Sequence, residues 1–538
     1  MSARQPTRVL ILGGGFGGLS AARHFEKTLP TDGSIEVTLV NRDNYLLFTP
    51  MLAEVAMGEV NPTHIAVPLR AFLRRVSVRQ AEIVGIDLDQ RRVTTYSEAA
   101  DETDELSYDH LILALGSVTS FHHAVGADTY AYPFKHLGDA PRIRDRVLDC
   151  FEQAAQDDNP DHRRALLTFV VAGGGFSGVE LAAALADFMR ETRTFYPSLA
   201  GEKLHLVLAH HGQRLLEELD ESSAAYTLRL LKQAGIAVRL GTAVCNVAAD
   251  AVELEPGGKI PTRSVFWTAG VAPSPLVQAL PVPKDRHGAV VVDGHLAVQG
   301  RPGLWAIGDC ASIPNPREGG TYAPLAQNAE REGPVVAHNV LATLRGEPLR
   351  TFDYRLLGTF ASLGQKSAVG RILGHKFSGF PAWLLWRSVY LAKLPGWDRK
   401  ARVGTDWLLD FVLPADVVAM HVGQRGSYDE PPPPDHVLHQ RLVQEAATAS
   451  RDPAGGTIAP AGPSGTAPAA PSATATESGA AEGRAGAAAR DRAARPAASA
   501  GDTQPATAAP AQPGQSRQSS AADRAGTAPP PPEPPPSA

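Results

Sequence analysis

The chain has 538 residues, with 51 Lys plus Arg against 57 Asp plus Glu and a formal net charge of −6, so no excess of positive charge points to a nucleic-acid partner. Its three cysteines, Cys150, Cys245 and Cys310, stand far apart, which excludes a CxxC pair, a disulfide framework and a zinc site and fits a reduced, cytosolic setting; no metal is expected. No stretch reaches the roughly 20 apolar residues that a membrane-spanning helix needs.

Along the chain, the first informative segment is "TRVLILGGGFGGLSAARHF", which reads as a buried strand, a glycine turn and a helix. That context lifts GxGxxG above a chance match. Gly13 makes the tight turn, Gly15 lets the backbone approach a pyrophosphate, and Gly18 lets helix and strand pack closely. The helix start then offers free N–H groups and about half a positive charge to phosphates. In "TLVNRDN" the second strand ends on Asn41, where a ribose-binding carboxylate is usual, with Asp43 two residues on. Asn can still hydrogen-bond a diol, so FAD is the expected ligand.

The same grammar returns 160 residues later in "TFVVAGGGFSGVELAAALADFM", with Gly173, Gly175 and Gly178 between an apolar strand and a helix. Two dinucleotide turns imply two dinucleotides. A chain holding both is most simply an electron-transfer flavoprotein, in which a nicotinamide gives hydride to a flavin. The following strand, "LHLVLAHHGQRLL", puts His210 where the carboxylate would stand, with His211 beside it and Arg214 close. Without the acid, nothing repels a 2′-phosphate, and a protonated His could attract one; a neutral His can equally bond a ribose hydroxyl. NADH is the expected donor and NADPH stays open.

Further segments carry a family resemblance. "YDHLILALGS", "SVFWTAGVAPSPL" and "GLWAIGDCASIP" resemble, in order, the returning strand, the end of the nicotinamide domain and the flavin-contacting strand of two-dinucleotide-fold oxidoreductases. The resemblance implies that Asp309 contacts the flavin's ribityl and phosphate region. It also implies an α/β fold of two Rossmann-like dinucleotide-binding domains. The FAD domain is split, 1–160 and 286–345, around an NAD(P)H domain at 161–285. A C-terminal membrane-associating region at 346–425, a hinge with a short helix at 426–448 and an Ala/Pro-rich tail at 449–538 complete the chain. From Ser450 the tail has no aromatic residue and only Ile458 as a large aliphatic, so it is expected to be disordered.

Within that superfamily, the dithiol and peroxide reductases need cysteines that "NRDNYLLFTPMLAEVAMG" and the rest of the chain lack. Three stretches instead resemble type II NADH:quinone oxidoreductases: "NYLLFTPMLAEVAMGEVNPTHIAVPLR", "APLAQNAEREG", and "GTFASLGQKSAVG" followed by "WLLWRSVYLAKL". The resemblance implies a quinone beside Ala326, Gln327 and Ala329, and a Glu180 that orients the nicotinamide. Small residues at 326 and 329 leave room for a flat ring, and the Gln327 amide can donate to a quinone carbonyl. On their own, Gln327 also reads as a helix-start residue satisfied by backbone, and Glu180 as a charge in a first helical turn. Arg331 stands where the family has a second glutamine, which leaves the quinone type open.

Finally, Trp383, Trp386, Trp397 and Trp407, four of the six tryptophans, fall within 25 residues among Arg387, Lys393, Arg399, Lys400 and Arg402. Aromatic bodies interleaved with cations read as an interfacial anchor on the bilayer surface. Asp398, Asp406 and Asp410 count against it, and a homodimer interface is the competing use of those aromatics. The expectation is a peripheral enzyme on the cytoplasmic face of the cell membrane that reduces a membrane quinone. A soluble NAD(P)H reductase for a ferredoxin-like protein, and a nucleotide-sensing scaffold with a partner-recruiting tail, are the alternatives.

Overall fold

The computed structural model describes residues 5–421, apart from 123, 365 and 415. The hinge, short helix and tail expected at 426–448 and 449–538 lie outside the described residues. Two five-stranded sheets organise the rest, and four strands of each share one topology, the fifth coming last in the chain in one sheet and first in the other. In the first the strand order is Leu304–Ala306, His110–Leu113, Thr7–Leu12, Ile35–Asn41, Ser77–Gln80, every neighbour parallel. In the second it is Ala131–Pro133, Ser264–Trp267, Thr168–Ala172, His205–Ala209, Ile236–Arg239, again all parallel.

The strand sequences show why. "TFVVA" is buried at every position and the last four residues of "TRVLIL" are buried too, as expected of parallel strands covered by helices on both faces. Each sheet carries a three-stranded antiparallel appendage, 82–107 in the first and 243–261 in the second.

Seven helices matter below: α1 (Phe16–Thr28), α2 (Leu52–Ala56), α3 (Asp139–Gln156), α4 (Phe176–Thr192), α5 (Ala326–Arg345), α6 (Gly379–Lys393) and α7 (Trp397–Val412). Helices α1 and α4 each spring from a glycine turn at the carboxyl end of the central strand of their sheet. Helix α5 crosses α1 so closely that a Cβ on Gly333 would lie 2.6 Å from the Gly17 carbonyl oxygen. A last antiparallel sheet, 358–378, leads into α6 and α7. Among the described residues no helix is long and apolar enough to cross a membrane.

Candidate functional site

The two glycine turns are built alike. Gly13 and Gly173 have φ of +103° and +112°, a region that L side chains avoid. A Cβ on Gly18 would sit 1.8 Å from the Gly13 oxygen, and one on Gly178 would sit 1.9 Å from the Gly173 oxygen, so helix and strand touch there. At Gly15 and Gly175 a Cβ would meet nothing within 4 Å; the chain is bare on that side and faces open space. Thr268 braces the second turn by donating its hydroxyl to the Ala172 carbonyl at 2.7 Å.

The two side chains expected at the ribose positions are used differently. Asn41 accepts from the Gly14 N–H at 2.7 Å and donates its amide to the Asp43 carbonyl at 2.7 Å. His210 takes the equivalent position, with Nδ1 accepting from the Gly174 N–H at 3.2 Å. Both side chains therefore fasten the middle glycine of their turn. His210 is buried, and burial, seconded by His211, lowers its pKa. A neutral ring whose Nδ1 accepts carries its proton on Nε2. It has no charge for a 2′-phosphate, and Arg214 is turned away onto the Glu217 carbonyl at 2.6 Å.

The first turn opens into a cleft of about 1260 Å³. Gly13, Gly15, Asn41, Asp309, Glu180, Ala326 and Gln327 all line it. Gly18 does not, since it packs beneath the turn. Gly173, Gly175, Gly178 and His210 do not line it either, although Phe176 and Ser177 from the start of α4 do. A cleft of that size, bare backbone at Gly15, and a carboxylate at Asp309 form a set of groups that fits FAD.

Asp309 accepts from the Ser117 hydroxyl at 2.6 Å, and Lys135 donates to that same hydroxyl at 2.9 Å, its Nζ 3.8 Å from the carboxylate. One residue before it, the Gly308 N–H donates to Glu332 at 2.6 Å. Burial pushes Glu332 up to about 7. Neither Lys135 nor Glu332 stands in a recognisable motif; only the crossing of their elements reveals them.

Glu180 reaches from α4 to the last sheet, where its carboxylate accepts from the Ser362 N–H at 2.9 Å. Burial drives its pKa up to about 8, against the lowering effect of that hydrogen bond and with help from Glu54. The Gln327 amide donates to the Gly358 carbonyl at 2.8 Å, leaving its second N–H and its carbonyl. Beside them Tyr390 closes the cleft, with its ring 6.3 Å from that of Phe48. Lys393 lines the same wall, its pKa lowered by burial. Arg331 is exposed over the Tyr354 ring at 5.7 Å and takes no part in the lining.

The anchor expectation needs correction. Trp386 is 1 % exposed and Trp407 8 %, and Trp407 donates to Glu54 at 3.1 Å, so both are core residues. Trp407 turns inward where the Arg387 guanidinium lies between the Trp383 and Trp407 rings, 4.2 and 4.6 Å from their centroids, and faces buried carboxylates. Trp386 packs edge-on against Tyr390 at 5.2 Å. Lys393 likewise belongs to the cleft and not to an outer cationic rim. Of the four tryptophans only Trp397, at 82 %, is widely exposed.

Comparison with known proteins agrees with this geometry. The family model for pyridine nucleotide-disulphide oxidoreductases matches residues 7–333, and that for the type II NADH dehydrogenase C-terminal domain matches 356–413. The chain is 31 % identical over 423 residues to the type II NADH:quinone oxidoreductase Ndh of Mycobacterium tuberculosis, covering 75 % of this chain and 88 % of that one. It is 33 % identical over 408 residues to the demethylphylloquinone reductase NdbB of Synechocystis, covering 74 % and 95 %. In fold it is similar to the NDH2 structure from Plasmodium falciparum in complex with NADH, with a TM-score of 0.71 over 77 % of this chain and all of that one, at 21 % identity.

Proposed function

We propose a division of labour among these residues from one premise: the chain belongs to the type II NADH:quinone oxidoreductases, within the pyridine nucleotide-disulphide oxidoreductases. It is a FAD-dependent enzyme that passes electrons from NADH to a quinone. Bound in the cleft, the flavin supplies the two-electron relay between nicotinamide and quinone.

The observation that carries our assignment of residues is that a single cleft gathers Gly15, Asp309, Glu180 and Ala326–Gln327. Gly13–Gly18 and Asp309 hold the flavin, with Lys135 fixing Asp309 through Ser117. Gly173–Gly178 hold the nicotinamide nucleotide, and Glu180 at the head of α4 orients its ring. Ala326 leaves room for the quinone and the free N–H of Gln327 bonds its carbonyl. We assign the FAD-binding domain to 1–160 and 286–345 and the NADH-binding domain to 161–285, with Ala131–Pro133 reaching across as an edge strand of the second sheet. NADH is preferred over NADPH because His210 is neutral and buried. The last sheet with α6 and α7 docks on the bilayer, on the cytoplasmic face that three free cysteines suit.

Stopped-flow spectroscopy separates the two half-reactions. NADH bleaches the flavin faster than NADPH does, and a short-chain quinone restores its colour. In Ala326→Leu reoxidation slows by about tenfold or more while bleaching is unchanged, because only the quinone loses space. Equal slowing of both halves would remove Ala326 from the quinone site.

A further inference from the structure

Behind Glu180 lies a second, smaller cavity of about 90 Å³, and Glu180 and Pro50 line both it and the cleft. We propose that this cavity, walled by Glu54, Glu59 and Asp410, is a hydrated proton inlet that supplies the proton consumed when the quinone is reduced. The proposal rests on the quinone-reductase reading. Its balance is NADH + H⁺ + quinone → NAD⁺ + quinol: two electrons and one proton arrive with the hydride, and the second proton must come from solvent.

Three buried polar atoms at this cavity, Glu54 Oε2, Trp386 Nε1 and Arg387 Nε, have no hydrogen-bond partner in the protein. Glu54 is 7 % exposed, with Oε1 accepting from Trp407 and Oε2 unbonded. Trp386 is 1 % exposed and its Nε1 is unbonded. Buried polar atoms around a polar cavity are normally satisfied by water, and at ~30 Å³ per molecule this one has room for about three. Water there joins Glu180 to the outer wall.

Charge gives the water chain a proton to carry. Arg387, fixed between two indoles, lies 3.5 Å from Glu54 and 3.6 Å from Glu59. One guanidinium cannot neutralise two carboxylates with a third, Asp410, beside them, so a proton is shared among the group. Burial raises Glu54, to about 7, as well as Glu59 and Asp410. Asp187 and Glu191 of α4 add further negative charge nearby, whereas Arg144 of α3 is engaged with the Asp416 carbonyl at 2.6 Å. At the outer end the exposed Lys366 lies over the Phe411 ring, and Asp410 is half-buried at the mouth. The route thus runs from the surface at Asp410, past Glu59 and Glu54, to Glu180 at the edge of the cleft.

The test uses the full flavin-loaded chain with Glu54→Gln and Glu59→Gln. NADH should bleach the flavin at the wild-type rate, while reoxidation by a short-chain quinone slows by about tenfold or more and its solvent isotope effect rises. Independently of turnover, the infrared C=O stretch of a protonated carboxyl in the resting protein near neutral pH should be lost or shifted in Glu54→Gln. If that variant does not fold, Asp410→Asn at the half-buried mouth should show the same selective slowing. Variants that fold and reoxidise at the wild-type rate, or an infrared band indifferent to Glu54, would overturn the inlet. Failure of the wild type to reoxidise with any quinone would instead overturn the quinone-reductase reading on which it rests.

Discussion

At the residue scale, burial decides what each carboxyl does. Asp309 and Glu332 meet at one turn, yet the Asp309 side chain keeps 23 % exposure beside Lys135, while Glu332 is 2 % exposed and is met only by the Gly308 N–H. Burial raises Glu332 from 4.5 to about 7. In the unfolded chain it titrates at its ordinary value, so between those pH values the folded state holds the extra proton. Its contribution to stability is therefore fully present below about 4.5 and is lost as pH rises through about 7. Glu332→Gln keeps an oxygen for Gly308 without the charge. Thermal melts of both proteins across this window should show the wild type losing ground to the variant with rising pH, by on the order of 3 kcal/mol. A gap that stays constant would mean that Glu332 titrates normally. Asp309 was legible in "GLWAIGDCASIP" because the family keeps its acid at a strand end. In "AQNAEREG" nothing separates Glu332 from Glu330, since the burial of Glu332 comes from a loop 24 residues away.

At the scale of elements, the strand–turn–helix units were readable because their constraints are local: a positive φ, a bare approach and a close packing, each within six residues. Two substitutions separate those roles in the second turn. Gly175 has an extended backbone with ψ −170°, which any residue adopts, and a Cβ there meets nothing. Gly175→Ala should melt like the wild type but raise the KM for NADH by about tenfold, because the added methyl occupies the space a pyrophosphate approaches. Gly178→Ala forces a Cβ against the Gly173 oxygen and the Thr268 hydroxyl, and should cost about 1–3 kcal/mol of stability. If Gly175→Ala destabilises instead, the open space at the turn is not a nucleotide site. The turn-fastening roles of Asn41 and His210 were not legible, because they depend on where the next strand ends in space. Nor did "PAWLLWRSVYLAKL" reveal which tryptophans turn inward: its apolar residues run all round α6, and the side that is buried is chosen by Arg387 with its carboxylate partners and by the packing of Trp386 on Tyr390.

At the scale of the whole molecule, turning Trp386 and Trp407 inward leaves a different apolar face outside. Phe380 and Leu384 on α6, and Leu408, Phe411 and Val412 on α7, are each more than half exposed at helical spacings of three and four. Monomeric soluble proteins rarely leave such ridges bare on two neighbouring helices. Two of the three acids that weighed against membrane docking are withdrawn from this face, while Asp398 stays exposed beside Arg399 at 3.4 Å. Asp406 accepts from His64 at 2.5 Å, and Asp410 turns to the cavity at Arg387. With Lys366 and Arg402 exposed nearby, the surface suits an anionic bilayer better than the aromatic cluster read from sequence. Leu408→Asp combined with Val412→Asp should therefore abolish cosedimentation with anionic vesicles and reduction of a long-chain quinone held in them. Turnover with a short-chain quinone in solution should persist, since neither residue touches the cleft. Sedimentation velocity without lipid decides the competing use of the same face. If the wild type is a dimer and the double variant a monomer that still binds vesicles, these ridges join two copies of the chain and the bilayer is met elsewhere.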